Sequence, residues 1–295
     1  MISIIGAGSW GSALYHAIKQ KVEGEIVITS RRRRNIEGFV DIEKALESEY
    51  IVIAIAAQAI KNFLKKYNLK DKKVLVASKG IDKDELKFLN EIFEEYVSIN
   101  DLAFLSGPSF AKEVKENKPT ALVIASKNME LAKKFKTFFP KFIKIYIDDD
   151  VEGIEVAGAY KNVIAIAAGI CEGLNLGANA KAALISRGLV EIDRFGEFFG
   201  AKKDTFLDVA GAGDLFLTAN STMSRNYRVG INLAKGKVLD DILNELGEVA
   251  EGVYTTEAIY KLSQKNNIYT PIATEVYKIL YTGKKPVESL RDLLI

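Results

Sequence analysis

Ile2-Ser-Ile-Ile-Gly6-Ala-Gly8-Ser-Trp-Gly11-Ser-Ala-Leu-Tyr-His16 decides how the first half of this chain is read. A short apolar run, Ile2 to Ile5, has the composition of a buried strand. It leads into Gly-x-Gly-x-x-Gly, and a helical pattern follows from Ser12 to Lys19. A glycine triplet alone says little, but between a strand and a helix it carries a mechanism. Gly6 permits the tight turn, Gly8 lets the backbone approach a pyrophosphate, and Gly11 lets helix and strand pack closely. The helix start then offers free N–H groups to an anion. The spacing implies a dinucleotide site; the alternative is a glycine-rich turn of structural use only.

Strand and helix patterns alternate from there. Strands are predicted at Glu25–Thr29, Ile51–Ile55, Lys73–Ala77, Leu102–Leu105, Thr120–Ala125 and Phe142–Ile147, with helical patterns such as Ile42–Leu46 and Asp84–Tyr96 between them. Such alternation implies βαβ units and an α/β fold, a Rossmann-like, doubly wound parallel sheet, over residues 1–148. Strand ends in such a sheet face the ligand crevice. That rule selects Ala56-Ala-Gln58, Ser78-Lys79-Gly80 and Ser106-Gly-Pro-Ser-Phe-Ala111. Roughly twenty residues past Gly11, where a carboxylate would hold an unphosphorylated ribose, stands Arg31 with three more arginines behind it. An arginine there suits a 2′-phosphate, although most of the run reads as a solvated loop.

After the polar run Asp148–Asp150 the strand signals end. Residues 149–295 read as an all-helical domain, with patterns at Ala178–Phe198, Asn226–Lys235, Thr256–Lys265 and Ile272–Leu280. Its centre is Val156-Ala-Gly-Ala-Tyr-Lys161-Asn-Val-Ile-Ala-Ile-Ala-Ala-Gly-Ile-Cys171, apolar on nearly every side. A lysine within such a helix resists ionisation unless it is paired, and desolvation moves it toward use as an acid or base. The bland reading is a lysine whose stem passes the core and whose amine reaches water.

Composition narrows the function classes. The chain has 295 residues, 48% hydrophobic and 27% charged, with a net charge of +2, which describes a globular protein and gives no reason to expect nucleic acid as partner. The first strand begins at Ile2, leaving no room for a leader, and no apolar stretch reads as long enough to span a bilayer. With Cys171 the lone cysteine, a reducing and cytoplasmic setting is expected. His16, the one histidine, lies in the first helical pattern beside Tyr15 and Ala17, where no histidine-based triad is expected, and no His/Cys metal cluster is present in the sequence.

Short motifs in order resemble those of the NAD(P)-dependent glycerol-3-phosphate dehydrogenases of the single-chain bacterial type. They are Gly6-Ala-Gly-Ser-Trp-Gly11, Ser78-Lys-Gly-Ile81, Leu105-Ser-Gly-Pro-Ser-Phe-Ala-Lys-Glu113, Tyr160-Lys-Asn162, Ala182-Ala-Leu-Ile-Ser-Arg-Gly-Leu189, Gly211-Ala-Gly-Asp-Leu215, Ser224-Arg-Asn226, Ala250-Glu-Gly252 and Pro271-Ile272. Lysine-dependent cousins, the 2-ketoacid and β-hydroxyacid reductases, would share the first motif and the lysine helix. They are not expected to share Gly107-Pro-Ser-Phe-Ala111 or Ser224-Arg-Asn226. A dinucleotide sensor without turnover is the other alternative, but it would need only the first half. Two departures stand out: a short stretch from Asn35 to Glu49, and Ala56-Ala57-Gln58 where the family generally has Val-Pro-Ser.

The resemblance implies reversible reduction of dihydroxyacetone phosphate to sn-glycerol 3-phosphate, a precursor of glycerophospholipids, with a homodimer as a common state. It implies Lys161 as proton donor, Lys79 as a second cation, and Asp214 as the partner of Lys161. Cofactor contacts are implied for Gly6, Gly8, Ser9, Trp10, Gly11, Arg31, Arg32, Lys79, Ala111, Arg225, Val249 and Glu251. Substrate contacts are implied for Lys79, Gly107, Ser109, Lys161, Asp214, Ser224, Arg225 and Asn226. With Arg31 in place of a carboxylate and Ser30 beside it, the expected cofactor is NADP in preference to NAD, with both used.

Overall fold

A computed structural model of the chain describes residues 1–247 and 249–294. The chain divides into two compact units, one made of Met1–Lys79 and Leu89–Ile154, the other of Gly80–Phe88 and Glu155–Ile295.

The strands, in chain order, are β1 (Ile2–Ile5), β2 (Ile26–Thr29), β3 (Tyr50–Ile53), β4 (Lys73–Val76), β5 (Ile81–Asp82), β6 (Lys87–Phe88), β7 (Leu102–Ser106), β8 (Thr120–Ala125) and β9 (Ile143–Asp148). Seven of them form the sheet of the first unit in the order β2-β1-β3-β4-β7-β8-β9. From β1 the chain passes to β2 on one side and later to β3 on the other. That reversal opens a crevice at the end of β1, where the glycine turn lies. Residues of β1, β2 and β7 are buried throughout, as expected of strands covered on both faces. At the edge, β9 alternates instead, with Ile143 and Ile145 inward and Lys144 and Tyr146 outward.

The α/β reading holds, with corrections. The sheet is mostly rather than wholly parallel: β7 and β8 run antiparallel, while β8 and β9 are parallel to each other. An apolar run such as Leu102–Ser106 reads identically in either direction, so pattern alone could not assign it. The helix expected over Asp84–Tyr96 is shorter, at Leu89–Glu94, because the preceding residues form the β5–β6 hairpin. Asp82 Oδ1 accepts from the N–H groups of Asp84 and Glu85, at 3.0 and 2.9 Å, and Leu86 takes a left-handed φ of 57°. An aspartate that offers its own backbone a turn outcompetes helix initiation.

In the second unit the core element is the Val151–Gly173 helix from Glu155 onward. Contrary to the sequence expectation, it is long and apolar enough to cross a membrane, with 23 residues, yet its apolar window is 100% buried inside the protein, the mark of a core helix. Burial on every side requires close neighbours, and small residues admit them. A Cβ on Gly169 would lie 2.1 Å from Tyr227 O, and one on Gly230 would lie 2.1 Å from Ile166 O, so this helix and Arg225–Ala234 touch backbone to backbone. Across another side, Gly188 of the Gly177–Phe198 helix meets Ile164. The hairpin adds Ile81 and Phe88 to the same core, where Phe88 meets Phe195 and Phe199 edge-on.

Gly230→Ala should therefore lower the unfolding free energy by roughly 1–3 kcal/mol, the usual cost of overpacking. A urea denaturation midpoint equal to that of the wild type would show that the two helices part without cost.

Candidate functional site

The first unit presents backbone rather than charge. Gly6 has φ +120°, and a Cβ there would lie 2.2 Å from Ala54 O; a Cβ on Gly11 would lie 1.7 Å from Gly6 O. Both positions need glycine, for the turn and for close packing respectively. Gly8 differs, because a Cβ there would meet nothing within 4 Å. Gly8 is the N-cap of the Ser9–Lys19 helix, and its carbonyl accepts from Ser12 N at 2.9 Å. Open space before a helix start fits a pyrophosphate, which the first-turn N–H groups, including that of Ser9, can bind. Trp10 is half-buried and its indole Nε1 donates to Ala77 O at 3.2 Å, which ties the glycine turn to the end of β4.

Lys79 follows that strand end. Ser78 Oγ donates to Ile55 O at 2.6 Å, while Lys79 Nζ and Ser109 Oγ both donate to Gly107 O, at 3.4 and 3.1 Å. Three residues singled out by sequence thus share one carbonyl. Gly107 takes φ +121° with its would-be Cβ 3.0 Å from Ala121 O, so the turn that offers this carbonyl depends on glycine. Ala111 begins the Ala111–Lys115 helix. Arg31 and Arg32 are exposed at the end of β2. Ser30, expected to serve a 2′-phosphate, donates to Arg32 O at 2.7 Å and shapes this loop.

The second unit carries the charge. Lys161 Nζ lies 2.5 Å from Asp214 Oδ1, with side-chain exposures of 10% and 2%. Lys161 Nζ also donates to Thr218 Oγ1 at 3.2 Å, and Thr218 Oγ1 donates to Asp214 Oδ1 at 3.3 Å. Asp214 opens the Asp214–Ala219 helix after a wide, π-helical turn over Val209–Gly213, so Thr218 stands one helical turn beyond it. Sequence reasoning missed Thr218, although an Asp and a Thr four apart on a helix could have shown it.

Residues on either side of Lys161 tie its helix elsewhere. Tyr160 OH donates to Glu191 Oε1 at 2.8 Å, and Asn162 Oδ1 accepts from Asn226 Nδ2 at 2.9 Å. Asn226 Oδ1 in turn accepts from Gly252 N at 3.0 Å, so the Asn226 amide is engaged within the unit. Ser224 caps the Arg225–Ala234 helix, its Oγ accepting from Tyr227 N at 3.2 Å. Arg225 donates from Nη1 to Val249 O at 3.0 Å, and Glu251 opens the Glu251–Asn266 helix. Ser224, Arg225, Asn226, Val249 and Glu251 are therefore brought together around one helix start.

Comparison with known proteins shows the family of the chain. A family model described as NAD-dependent glycerol-3-phosphate dehydrogenase C-terminus matches residues 150–291, and the N-terminus model of that family matches residues 31–132. The chain is 56% identical over 294 residues, 99% of this chain and 97% of the other, to the glycerol-3-phosphate dehydrogenase [NAD(P)+] of Nitratiruptor sp.. It is 57% identical over 295 residues, 99% and 97% of the two chains, to that of Campylobacter lari. The crystal structure of glycerol-3-phosphate dehydrogenase from Coxiella burnetii superposes with a TM-score of 0.91 at 32% identity, covering 99% of this chain and 98% of that one. With its glycine turn, its buried lysine–aspartate pair and these relatives, the chain belongs to the NAD-dependent glycerol-3-phosphate dehydrogenase family.

Proposed function

We propose that the chain catalyses reversible, NAD(P)H-dependent reduction of dihydroxyacetone phosphate to sn-glycerol 3-phosphate, with Lys161 as the proton donor. The observation that carries the assignment of Lys161 is its buried contact with Asp214 and Thr218. The nicotinamide, when bound, supplies a hydride to the ketone carbon. The carbonyl oxygen gains negative charge as the hydride arrives and needs a proton and a nearby positive field. Lys161 supplies both, because the Asp214 carboxylate holds the ammonium at a fixed point. Once the proton has left, the neutral amine stays hydrogen-bonded between Asp214 and Thr218, ready to act as base in the reverse direction.

Lys79 serves as a second cation, placed by the Gly107 carbonyl. Arg225 and the start of the Arg225–Ala234 helix take the substrate phosphate, combining a guanidinium with the positive end of the helix. Asn226, with its amide engaged by Asn162 and Gly252, places that helix start relative to the lysine helix. Among cofactors NADPH is preferred and NADH is also used, through the exposed Arg31 and Arg32. The enzyme works in the cytoplasm as a homodimer and supplies glycerophospholipid synthesis.

Lys161→Ala should lower kcat at least about 100-fold while leaving NADPH affinity unchanged, the usual scale for general acid catalysis. More than a tenth of wild-type kcat remaining would overturn the assignment. Arg225→Ala should weaken kcat/KM for the phosphorylated ketone by about 10–150-fold, equivalent to ~1.5–3 kcal/mol, and should spare unphosphorylated dihydroxyacetone. Equal losses on the two substrates would place Arg225 with the cofactor or the fold. For cofactor choice, kcat/KM should favour NADPH by roughly 5–30-fold in the wild type, and Arg31→Asp should reverse it. An unchanged ratio in that variant would leave Arg31 as loop charge.

A further inference from the structure

Glu191 is a buried carboxylate, 2% exposed, that the chemistry above does not use. It lies on the Gly177–Phe198 helix and accepts three hydrogen bonds. Tyr160 OH donates to Oε1 at 2.8 Å, Ala273 N to Oε1 at 2.9 Å, and Ile272 N to Oε2 at 2.9 Å. Ile272 and Ala273 lie in the first turn of the Pro271–Tyr281 helix, whose N-terminal end favours negative charge. All three partners are donors. An ionised carboxylate is acceptor-only and can satisfy them together, whereas a glutamine would turn an NH2 group toward at least one N–H or O–H.

Tyr160 immediately precedes Lys161. Neighbouring residues on a helix are separated by roughly 100° of rotation and 1.5 Å of rise. A helix held at Tyr160 therefore has its rotation and height fixed at Lys161 as well. On the other flank, Asn162 is held by Asn226. Close packing holds the helix among its neighbours, and the hydrogen bonds at Tyr160 and Asn162 add a directional anchor on either flank of Lys161. The ring of Tyr160 meets Phe195 edge-on at 5.2 Å between centroids, a contact that survives loss of the hydroxyl. Burial raises the pKa of both the Glu191 carboxyl and the Tyr160 phenol, with the three hydrogen bonds opposing the shift at Glu191.

We propose that Glu191 is a positioning residue for Lys161: by anchoring Tyr160 to the start of the Pro271–Tyr281 helix, it fixes the rotation of the lysine helix and thereby the point at which Nζ meets the substrate oxygen. The proposal rests on Lys161 as the proton donor and extends it to a residue that touches neither substrate nor cofactor.

The test uses the full-length enzyme. Tyr160→Phe removes one hydroxyl and keeps the ring; Glu191→Gln keeps the volume and breaks the acceptor set. A displacement of about 1 Å at the reacting group can cost about 100-fold, so each variant should lower kcat by about 10–100-fold. KM for dihydroxyacetone phosphate and Kd for NADPH should stay within about 3-fold, as expected for an interaction that counts in the transition state only. The solvent deuterium isotope effect on kcat should rise as proton transfer becomes slower. Ile192→Val, a packing change on the same helix, should leave kcat near that of the wild type. If Tyr160→Phe folds and keeps kcat within about 2-fold of wild type, the anchor is structural only and the proposal falls. Lys161→Ala separates the levels: its retention of activity would remove the underlying reading, whereas an inactive Lys161→Ala beside an unaffected Tyr160→Phe would overturn the anchoring alone.

Discussion

One buried ion pair sets the terms for the helical unit. Lys161 and Asp214 are nearly sealed from water, and their separation of 2.5 Å lets each charge offset the desolvation of the other. Losing one partner of such a pair costs about 3–5 kcal/mol, because the remaining charge has no counterpart. The surrounding helices must therefore hold both groups in register. Glycines at 169, 188 and 230 let the lysine helix meet the Arg225–Ala234 and Gly177–Phe198 helices closely, and Thr218 closes the pair with a hydroxyl that bonds both groups. Three successive residues then reach three different elements: Tyr160 the Gly177–Phe198 helix, Lys161 the Asp214–Ala219 helix, and Asn162 the Arg225–Ala234 helix. A short tripeptide thus serves as the junction of the unit.

The nucleotide unit uses another strategy. Its glycine turn, the open space at Gly8 and the Gly107 carbonyl are backbone features that sterics fix without desolvating a charge. Such features can hold a large anionic ligand in nearly one pose, while in the proposed reaction the proton falls to Lys161, a group whose environment can be tuned. Trp10 links the glycine turn to the end of β4 through one indole N–H.

How much of this was legible in the sequence follows from the range of the interactions. The glycine turn was readable because its strand, triplet and helix are contiguous. The burial of Lys161 was readable from the apolar run around it, whereas its proposed role came only from the motifs read together, and Asp214 followed from the resemblance. Thr218 was missed because its proximity to Asp214 depends on where the Asp214–Ala219 helix begins. Glu191 was missed because its partners, Tyr160, Ile272 and Ala273, lie 31, 81 and 82 residues away along the chain. The β5–β6 hairpin was read as helix because the turn made by Asp82 competes locally with a helical pattern. The direction of β8 was illegible in principle, since hydrophobic alternation carries no sense of polarity.

That hairpin bears on how the molecule can be taken apart. Gly80–Phe88 belongs to the helical unit but interrupts the nucleotide unit, so the polypeptide passes from one to the other at three places along its length. A gene cut after residue 148 would leave Ile81 and Phe88 on the wrong fragment, as bare apolar side chains without their core. Exchange of nucleotide halves between related reductases, a natural route to new cofactor choice, is thereby obstructed unless the short strap travels with the helical half. Recombination at the domain border is penalised, whereas single substitutions within either unit leave this interleaving of the chain intact.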